Sequence, residues 1–99
     1  MTIVEEIKQG ARGDRIINLI WGYIEFRNAK SKKETGFLWL DPEMVYLLDY
    51  GVSGPPEHSI EMLWLKFAES LGDRSNSETL YVPLEEFDEY VRKRSYRNP

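Results

Sequence analysis

The sequence predicts a small α+β domain in which a small antiparallel β-sheet packs against about three α-helices. Three observations lead to this prediction. The chain has 99 residues, of which 41% are hydrophobic and 13% aromatic, so it has enough apolar mass for one core. It contains segments of helical and of strand periodicity, and its connections are short and rich in Gly and Pro. We therefore expect one domain over residues 1–99, with frayed ends over 1–13 and 95–99.

The N-terminal segment is expected to contain one short helix. Within residues 2–9, the apolar side chains of Ile3, Val4 and Ile7 share one helical face. Gly10 follows at the position where a glycine commonly ends a helix. The pattern predicts a helix of about two turns.

The next segment, residues 15–27, fits two patterns. Its isoleucines recur at four-residue spacing, which fits a helical face, whereas the aromatic and β-branched residues of 20–26 fit a strand. Because Gly22 weakens a helix interior, we favour the strand. A polar loop over residues 27–33 then leads into a second strand over 35–40, and the two strands form a β-hairpin in our prediction.

The signals for a helix are strongest in residues 41–51. Asp41 is suited to be an N-cap, Pro42 suits the first helical position, and Gly51 stands where a left-handed residue often ends a helix. The apolar face of this helix would consist of Met44, Leu47 and Leu48.

The last half of the chain is expected to contain two more helices and a strand. Residues 57–71 carry apolar side chains at the i, i+3, i+4 spacing of a buried stripe, and Gly72 follows them. Residues 80–82 are short and β-prone, and we expect them to pair with the hairpin. Pro83 begins a third helix, whose acids precede its bases in the order that the helix dipole favours.

The formal net charge of −4 conceals three blocks of different sign. Residues 1–40 carry +2, residues 41–90 carry −10 and residues 91–99 carry +4. Clustered like charges can steer a charged partner, but acids at helix starts and bases at helix ends are also what the helix dipole favours. Both interpretations stay open at the level of the sequence.

Several chemistries lack the residues that they need. The chain has no cysteine and one histidine, which excludes a disulfide, a thiolate site and an ordinary zinc site, and it has no phosphate-binding glycine motif. His58 is the only side chain suited to proton transfer near neutrality. Glu57 and Ser59 adjoin it, but adjacency does not orient a triad, so we expect a solvated residue. We therefore predict no enzyme, no cofactor and no metal.

Segments for membrane insertion or secretion are not visible. The longest apolar runs, within residues 16–21 and 37–40, fall short of the roughly 18 residues that a membrane helix needs. The first residues have neither the basic nor the apolar region of a secretory signal. We expect no contact with a membrane and an intracellular location, in the cytoplasm or the nucleus.

Two sets of residues are candidates for binding a partner. Exposed aromatic residues and acids suit a protein interface, and the candidates are Trp39, Tyr46, Tyr50, Tyr90, Glu85, Glu86 and Glu89. Basic residues in two segments would contact nucleic-acid phosphates, namely Arg27, Lys30, Lys32, Lys33, Arg92, Lys93, Arg94 and Arg97. The alternative for these basic residues is two solvated patches, because the acidic middle of the chain would repel a polyanion.

Residues 40–51, LDPEMVYLLDYG, resemble the Leu-x-Pro-Glu-Glu-x-x-Tyr-Leu-Leu-Glu-x-Gly pattern in the N-terminal domain of tRNA-splicing endonuclease structural subunits. Residues 21–26, 59–61 and 87–96 are similar to further segments of that family, in the same order. The departures from the pattern are Met44, Tyr50 and Ser95. The family's catalytic residues belong to a nuclease-fold domain that this sequence does not contain. The resemblance therefore implies an assembly or RNA-positioning module and assigns no catalytic residue.

These observations together predict a non-catalytic interaction or assembly module that binds a protein partner within an RNA-processing complex, with RNA as the second class of partner. The alternative is a small inhibitor or viral-type accessory protein. Such a protein would use an acidic face within residues 41–90 to block a partner's polyanion-binding site. An enzyme is a third option for which the sequence offers no residue, and the oligomeric state is left open.

Overall fold

Three helices and one three-stranded antiparallel sheet make up the part of the chain that the computed structural model describes, residues 2–53, 60–70, 72 and 76–97. The elements are α1 (Ile3–Lys8), α2 (Asp14–Thr35), β1 (Tyr46–Ser53), β2 (Met62–Ala68), β3 (Ser77–Pro83) and α3 (Leu84–Arg97). The strand order is β1-β2-β3, and both neighbouring pairs are antiparallel. The predicted class, a small antiparallel sheet with about three helices, is confirmed.

Helix α1 forms where the sequence predicted it. The Thr2 side chain caps the helix by accepting a hydrogen bond of 3.1 Å from the Glu5 N–H. Ile3 and Ile7 are buried in the core, and Gly10 follows with a left-handed φ of 88°. The two isoleucines attach α1 to the core, and the fraying expected over residues 1–13 stays a prediction.

Helix α2 corrects the β-hairpin predicted over residues 20–40. Its buried face contains Ile16, Ile20, Tyr23, Ile24 and Asn28, which is the helical period that the sequence also offered. Gly22 does not break this helix. It lies where α3 packs closely against α2, as described below. Gly36 ends α2 in a left-handed conformation with φ of 83°, and residues 37–45 connect it to β1.

Strand β1 replaces most of the helix predicted over residues 41–51. The Asp41 carboxylate accepts a hydrogen bond of 3.0 Å from the Glu43 N–H, so the residues that suit a helix start form a turn instead. Gly51 pairs with Trp64 in the sheet, and a β-carbon at Gly51 would lie 2.7 Å from the indole ring. This glycine is therefore required by cross-strand packing and does not end a helix.

Strand β2 shows that the helix predicted over residues 57–71 is wrong across 62–68. Leu63, Leu65 and Phe67 alternate with half-exposed neighbours and are all buried. Alternation places every second side chain on one face of a sheet, so these three residues contribute to the core together.

The last two elements agree with the sequence. Strand β3 contains the predicted residues 80–82, although it pairs with β2 because the predicted hairpin does not exist. Helix α3 begins directly after Pro83 and continues to Arg97, beyond the point where fraying was predicted. None of the described helices combines the length and apolar character needed to cross a bilayer.

One core joins the helices to the inner face of the sheet. Its fully buried side chains include Ile20 and Ile24 from α2, Leu63 and Leu65 from β2, Val82 from β3 and Phe87 from α3. Since α2 and α3 both contribute to this core, their remaining faces meet above it and form the site described next.

Candidate binding site

A groove of about 660 Å³ lies between α2 and α3. Each helix contributes residues at the i, i+3, i+4, i+7 spacing of a single helical face. From α2 these residues are Tyr23, Phe26, Arg27 and Lys30. From α3 they are Glu86, Glu89, Tyr90, Lys93 and Arg94.

Gly22 allows the two helices to approach each other. A β-carbon at this position would lie 2.5 Å from the hydroxyl oxygen of Tyr90 and 2.9 Å from Nη1 of Arg94. Such distances are shorter than carbon–oxygen or carbon–nitrogen contacts allow, so any larger residue would displace both side chains. A glycine in a helix interior weakens the helix, and here it makes room for the wall of the groove.

The two helices run in opposite directions along the groove. Arg94 lies beside Gly22, whereas Phe26, one turn later in α2, packs against Tyr90, one turn earlier in α3. The Tyr23 hydroxyl donates a hydrogen bond of 3.1 Å to Oε2 of Glu86, which stands earlier still in α3. The basic residues of α3 therefore lie near one end of the groove. Arg27 and Lys30, which follow later in α2, lie toward the other end.

Aromatic rings form the floor of the groove. The Tyr23 ring packs edge-on against Phe87 and Tyr90, with centroid distances of 5.7 and 5.8 Å. Phe26 lies 5.5 Å from Tyr90 and is 53% exposed. Large aromatic side chains bury much apolar area when a ligand covers them, so Phe26 is a natural contact for an apolar group.

Arg27 is held in place by the connection between α2 and β1. Its guanidinium carbon lies 4.0 Å from the centroid of the Trp39 ring, and its Nη1 is buried without a hydrogen-bond partner. The connection is tied to α2 by Asn28, whose Nδ2 donates to the Leu40 carbonyl oxygen at 2.5 Å and whose Oδ1 accepts from the Leu40 N–H at 2.8 Å. The buried Nη1 is out of reach of a ligand, so the guanidinium can bind a carboxylate or phosphate in the groove only through its other nitrogens.

The buried hydroxyl of Tyr23 keeps its proton and donates a hydrogen bond. Desolvation by burial raises the pKa of Tyr23 to about 12, with the positive charge of Arg27 opposing the rise and the Glu86 carboxylate adding to it. Tyr23 therefore stays neutral near physiological pH and keeps its hydrogen bond to Glu86. It serves to join the two walls of the groove.

The charge of the groove is opposite to that of the chain. Four basic and two acidic side chains line it, so it carries a formal +2 in a chain of −4. Glu89 pairs with Lys93 at 3.2 Å, and Glu86 accepts the bond from Tyr23. Arg94 is oriented by its hydrogen bond of 2.7 Å to the Tyr90 hydroxyl. Anionic groups of a ligand would therefore meet the oriented guanidinium of Arg94 toward one end of the groove and the accessible nitrogens of Arg27 toward the other.

The groove brings together half of the basic residues predicted to contact phosphates. Arg27 and Lys30 from one segment lie with Lys93 and Arg94 from the other. The remaining ones are elsewhere: Lys32 lines a separate depression beside Leu38, Lys33 is exposed, Arg92 pairs with Asp88 at 2.8 Å, and the Arg97 side chain lies outside the described residues.

The residues predicted to contact a protein divide between the groove and other places. Glu86, Glu89 and Tyr90 line the groove, and Trp39 supports it through Arg27. Glu85 and Tyr46 are exposed outside it.

The prediction that Tyr50 is exposed is wrong. Tyr50 is only 2% exposed, its hydroxyl donates to the Ala11 carbonyl oxygen at 3.2 Å, and the Arg12 guanidinium lies over its ring. The error follows from the wrong element: on a helix this residue would fall off the apolar face, whereas in β1 it points into the core.

Tyr23 and Phe26 were missed as site residues. With residues 20–26 predicted as a strand of a hairpin, there was no reason to place Tyr23 and Phe26 beside Tyr90, which is distant in the sequence. The signal that was available is the spacing of Tyr23, Phe26, Arg27 and Lys30 on one helical face, which becomes informative once residues 14–35 are read as a helix.

Some of the acids of residues 41–90 form ion pairs, and these pairs lie on separate elements. Asp49 of β1 pairs with Arg12 at 3.2 Å, and Glu61 pairs with Lys8 at 3.3 Å. On α3, Asp88 and Glu89 pair with the bases one turn later. Four of the ten acids that the structure describes in this block are therefore paired with a base.

His58 lies outside the described residues, so the expectation of a solvated histidine stays a prediction. Within the described ranges, no three acidic or histidine side chains stand close enough together to hold a metal ion. Comparison with protein-family models, with curated proteins and with solved structures gave no match to this chain. The resemblance to tRNA-splicing endonuclease subunits also stays a prediction.

Proposed function

We propose that the protein is a non-catalytic interaction module that binds an acidic segment of a partner protein in the groove between α2 and α3. The observation that carries the proposal is the meeting of Arg27 and Lys30 with Lys93 and Arg94 around an aromatic floor. These residues come from distant parts of the sequence, and only the packing of α2 against α3 brings them together.

The amount of charge favours a protein segment over a nucleic acid. A protein that binds RNA or DNA through phosphates uses many basic residues, about 6 to 10 contacts in well-studied cases. This groove carries a formal +2, and the chain around it is acidic. Two carboxylates are enough to neutralise the groove, and a longer polyanion would meet repulsion beyond it.

The aromatic floor favours a ligand that combines carboxylates with apolar side chains. Phe26 is half exposed and continuous with Tyr23 and Tyr90, so an apolar side chain placed on it would be removed from water on several sides. Central aromatic anchors surrounded by charged residues are typical of protein interfaces. The groove has this arrangement, with basic side chains toward both ends.

The test is a titration of the ¹⁵N-labelled protein, followed by NMR, with three probes. They are a 16-residue peptide of glutamate, leucine and alanine, the same peptide with lysine in place of glutamate, and a single-stranded RNA octamer. We expect the glutamate peptide to shift the amide signals of α2 and α3 and the other probes to do so only weakly. An RNA that binds this groove more tightly than the glutamate peptide would overturn the proposal.

Arg94→Gln and Lys66→Gln form the matched pair of variants for this titration. Both remove one positive charge, but Arg94 lines the groove and Lys66 lies in β2, away from it. We expect the first to weaken binding of the glutamate peptide and the second to leave it unchanged. Equal weakening would show that net charge, and not the groove, controls binding.

We also propose that the partner is part of an RNA-processing complex, and this part of the proposal rests only on the sequence resemblance of residues 40–51. It adds the expectation that the acidic segment belongs to a component of such a complex. The titration with the RNA octamer also tests for RNA binding outside the groove, which would appear as shifts of the amide signals of Lys32 and Lys33.

A further inference from the structure

We infer that the acidic partner segment lies in the groove as an α-helix, with two carboxylates about two turns apart and an apolar side chain between them. This inference rests on the proposed function, and it specifies the shape of the ligand. Three features of the groove support it: the state of the backbone in its walls, the separation of its basic residues, and the position of Phe26.

The walls of the groove supply side chains and almost no free backbone groups. Tyr23 to Lys30 lie in the interior of α2 and Phe87 to Lys93 lie within α3, where N–H and C=O groups bond within the helix, whereas Glu86 lies in the first turn of α3, where N–H groups have no partner within the helix. A strand that binds by extending a sheet needs a row of unpaired backbone groups on the protein, and one N–H does not provide it. A ligand buried here must satisfy its own backbone, which a helix does.

The basic residues are separated along the groove. Arg94 lies beside Gly22, while Arg27 and Lys30 stand five and eight residues further along α2. At a rise of 1.5 Å per residue, these positions lie about 7.5 and 12 Å from Gly22 along the helix axis. Two ligand residues placed opposite these positions therefore stand roughly 8 to 12 Å apart along the groove, measured between backbone positions.

A helix meets this spacing. Residues seven apart in a helix lie about 10.5 Å apart on the same face, and residues three or four apart lie midway between them. In an extended strand, residues on one face lie about 6.7 or 13.4 Å apart, on either side of the required range. The apolar residue at the midpoint of the helix would contact Phe26, which stands four residues from Gly22 and four from Lys30 along α2.

The experiment compares three 18-residue peptides based on alanine and glutamine. The first has glutamates at peptide positions 5 and 12 and leucines at positions 8 and 9, and a lactam bridge on the far face holds it helical. The second has the same composition and bridge, but its second glutamate stands at position 10, about 140° around the helix from the first. The third has the glutamates and leucines of the first, no bridge and a proline at position 10.

Dissociation constants come from NMR titration of the whole chain, with shifts in α2 and α3 as the readout. We expect the first peptide to bind at least about tenfold more tightly than either of the others, which corresponds to about 1.4 kcal/mol. If the proline peptide binds as tightly as the first, the helical shape is wrong and the proposed function stands. If the permuted peptide binds equally, the two-turn spacing is wrong. If no glutamate peptide shifts the groove signals, the proposed function itself fails.

Discussion

Gly22 lies directly against Tyr90: a β-carbon at position 22 would stand 2.5 Å from the Tyr90 hydroxyl oxygen. The contact joins the middle of α2 to α3 at the end of the groove where Arg94 is hydrogen-bonded to the same hydroxyl. A residue that weakens its own helix is thus the condition for the close packing that forms the binding site.

Replacement of Gly22 by alanine is expected to destabilise the protein by about 1 kcal/mol. Alanine gains about 1 kcal/mol in helix propensity. It also forces the Tyr90 ring away from Tyr23 and Phe26, and each aromatic pair contributes about 0.5 to 1.5 kcal/mol beyond its buried area. The loss exceeds the gain. Urea unfolding measures the difference, and a more stable Gly22→Ala protein would show that the contact is not tight.

The matched control adds Tyr90→Phe to Gly22→Ala. Removing the hydroxyl removes the atom at 2.5 Å and leaves the nearest ring carbon at 3.5 Å, an ordinary contact distance. Arg94 also loses its partner and becomes free to move away. We expect the double variant to recover most of the stability lost on introducing alanine into the Tyr90 protein.

Tyr23→Phe tests the hydrogen bond that joins the walls of the groove. Because the acceptor, Glu86, is charged, we expect a loss of about 1 to 2 kcal/mol at neutral pH. The folded-state pKa of about 12 exceeds the ordinary value of 10.0, so this tyrosine favours folding fully below pH 10 and loses that effect as the pH rises toward 12. The stability advantage of the parent over Tyr23→Phe should shrink by about 1 kcal/mol at pH 11.

Urea unfolding at pH 8, 10 and 11 gives this difference, in which the other tyrosines of the two proteins cancel. If the difference in unfolding free energy between the two proteins stays constant from pH 8 to pH 11, burial does not raise the pKa of Tyr23.

Asn28→Ala is expected to destabilise the protein by about 2 to 3 kcal/mol, because both hydrogen bonds to the Leu40 backbone are lost. Asn28→Asp is the more specific variant. It keeps the acceptor for the Leu40 N–H but turns an acceptor toward the Leu40 carbonyl, so the ionised form is destabilised and the protonated form is tolerated. The deficit of Asn28→Asp, measured by urea unfolding, should therefore become smaller as the pH falls from 7 to 4. A pH-independent deficit would contradict this pairing.

Arg27→Met separates binding from stability. Loss of the cation–π contact with Trp39 costs about 1 to 2 kcal/mol, while removal of a buried nitrogen without a partner returns about 1 to 3 kcal/mol. The two effects nearly cancel, so thermal unfolding should change by only a few degrees. Binding of the glutamate peptide should fall at least about tenfold. A protein that unfolds readily on this substitution would mean that Arg27 is structural.

The sequence predicted the class of the fold and three of its elements, α1, β3 and α3. Their local signals agree with the structure: an apolar stripe followed by glycine, a short β-prone run and a proline before an acidic first turn. Between these elements the predicted types were wrong: the first predicted strand lies in helix α2, and the two predicted helices overlap strands β1 and β2. Two of these errors came from glycines. Gly22 and Gly51 were interpreted by the conformational preference of glycine, whereas each one makes room for an aromatic side chain on another element.

Strand β2 shows a second limit of local patterns. Leu63 and Phe67 fit a helical stripe four residues apart and equally fit the same face of a strand through Leu65. Only the neighbouring strands resolve this ambiguity. The candidate site depended on the same assignments: its basic residues were identified from the sequence, but their meeting required α2 to be a helix packed against α3.

The central claim is that the groove between α2 and α3 binds an acidic partner segment through Arg27 and Arg94. Its most direct test is the dissociation constant of the bridged helical glutamate peptide, by NMR titration, for the parent protein, for the double variant Arg27→Met with Arg94→Gln, and for Lys66→Gln. We predict a loss of at least about thirtyfold in the double variant, a little over 2 kcal/mol, and no change in Lys66→Gln. Unchanged binding by a folded double variant would contradict the claim.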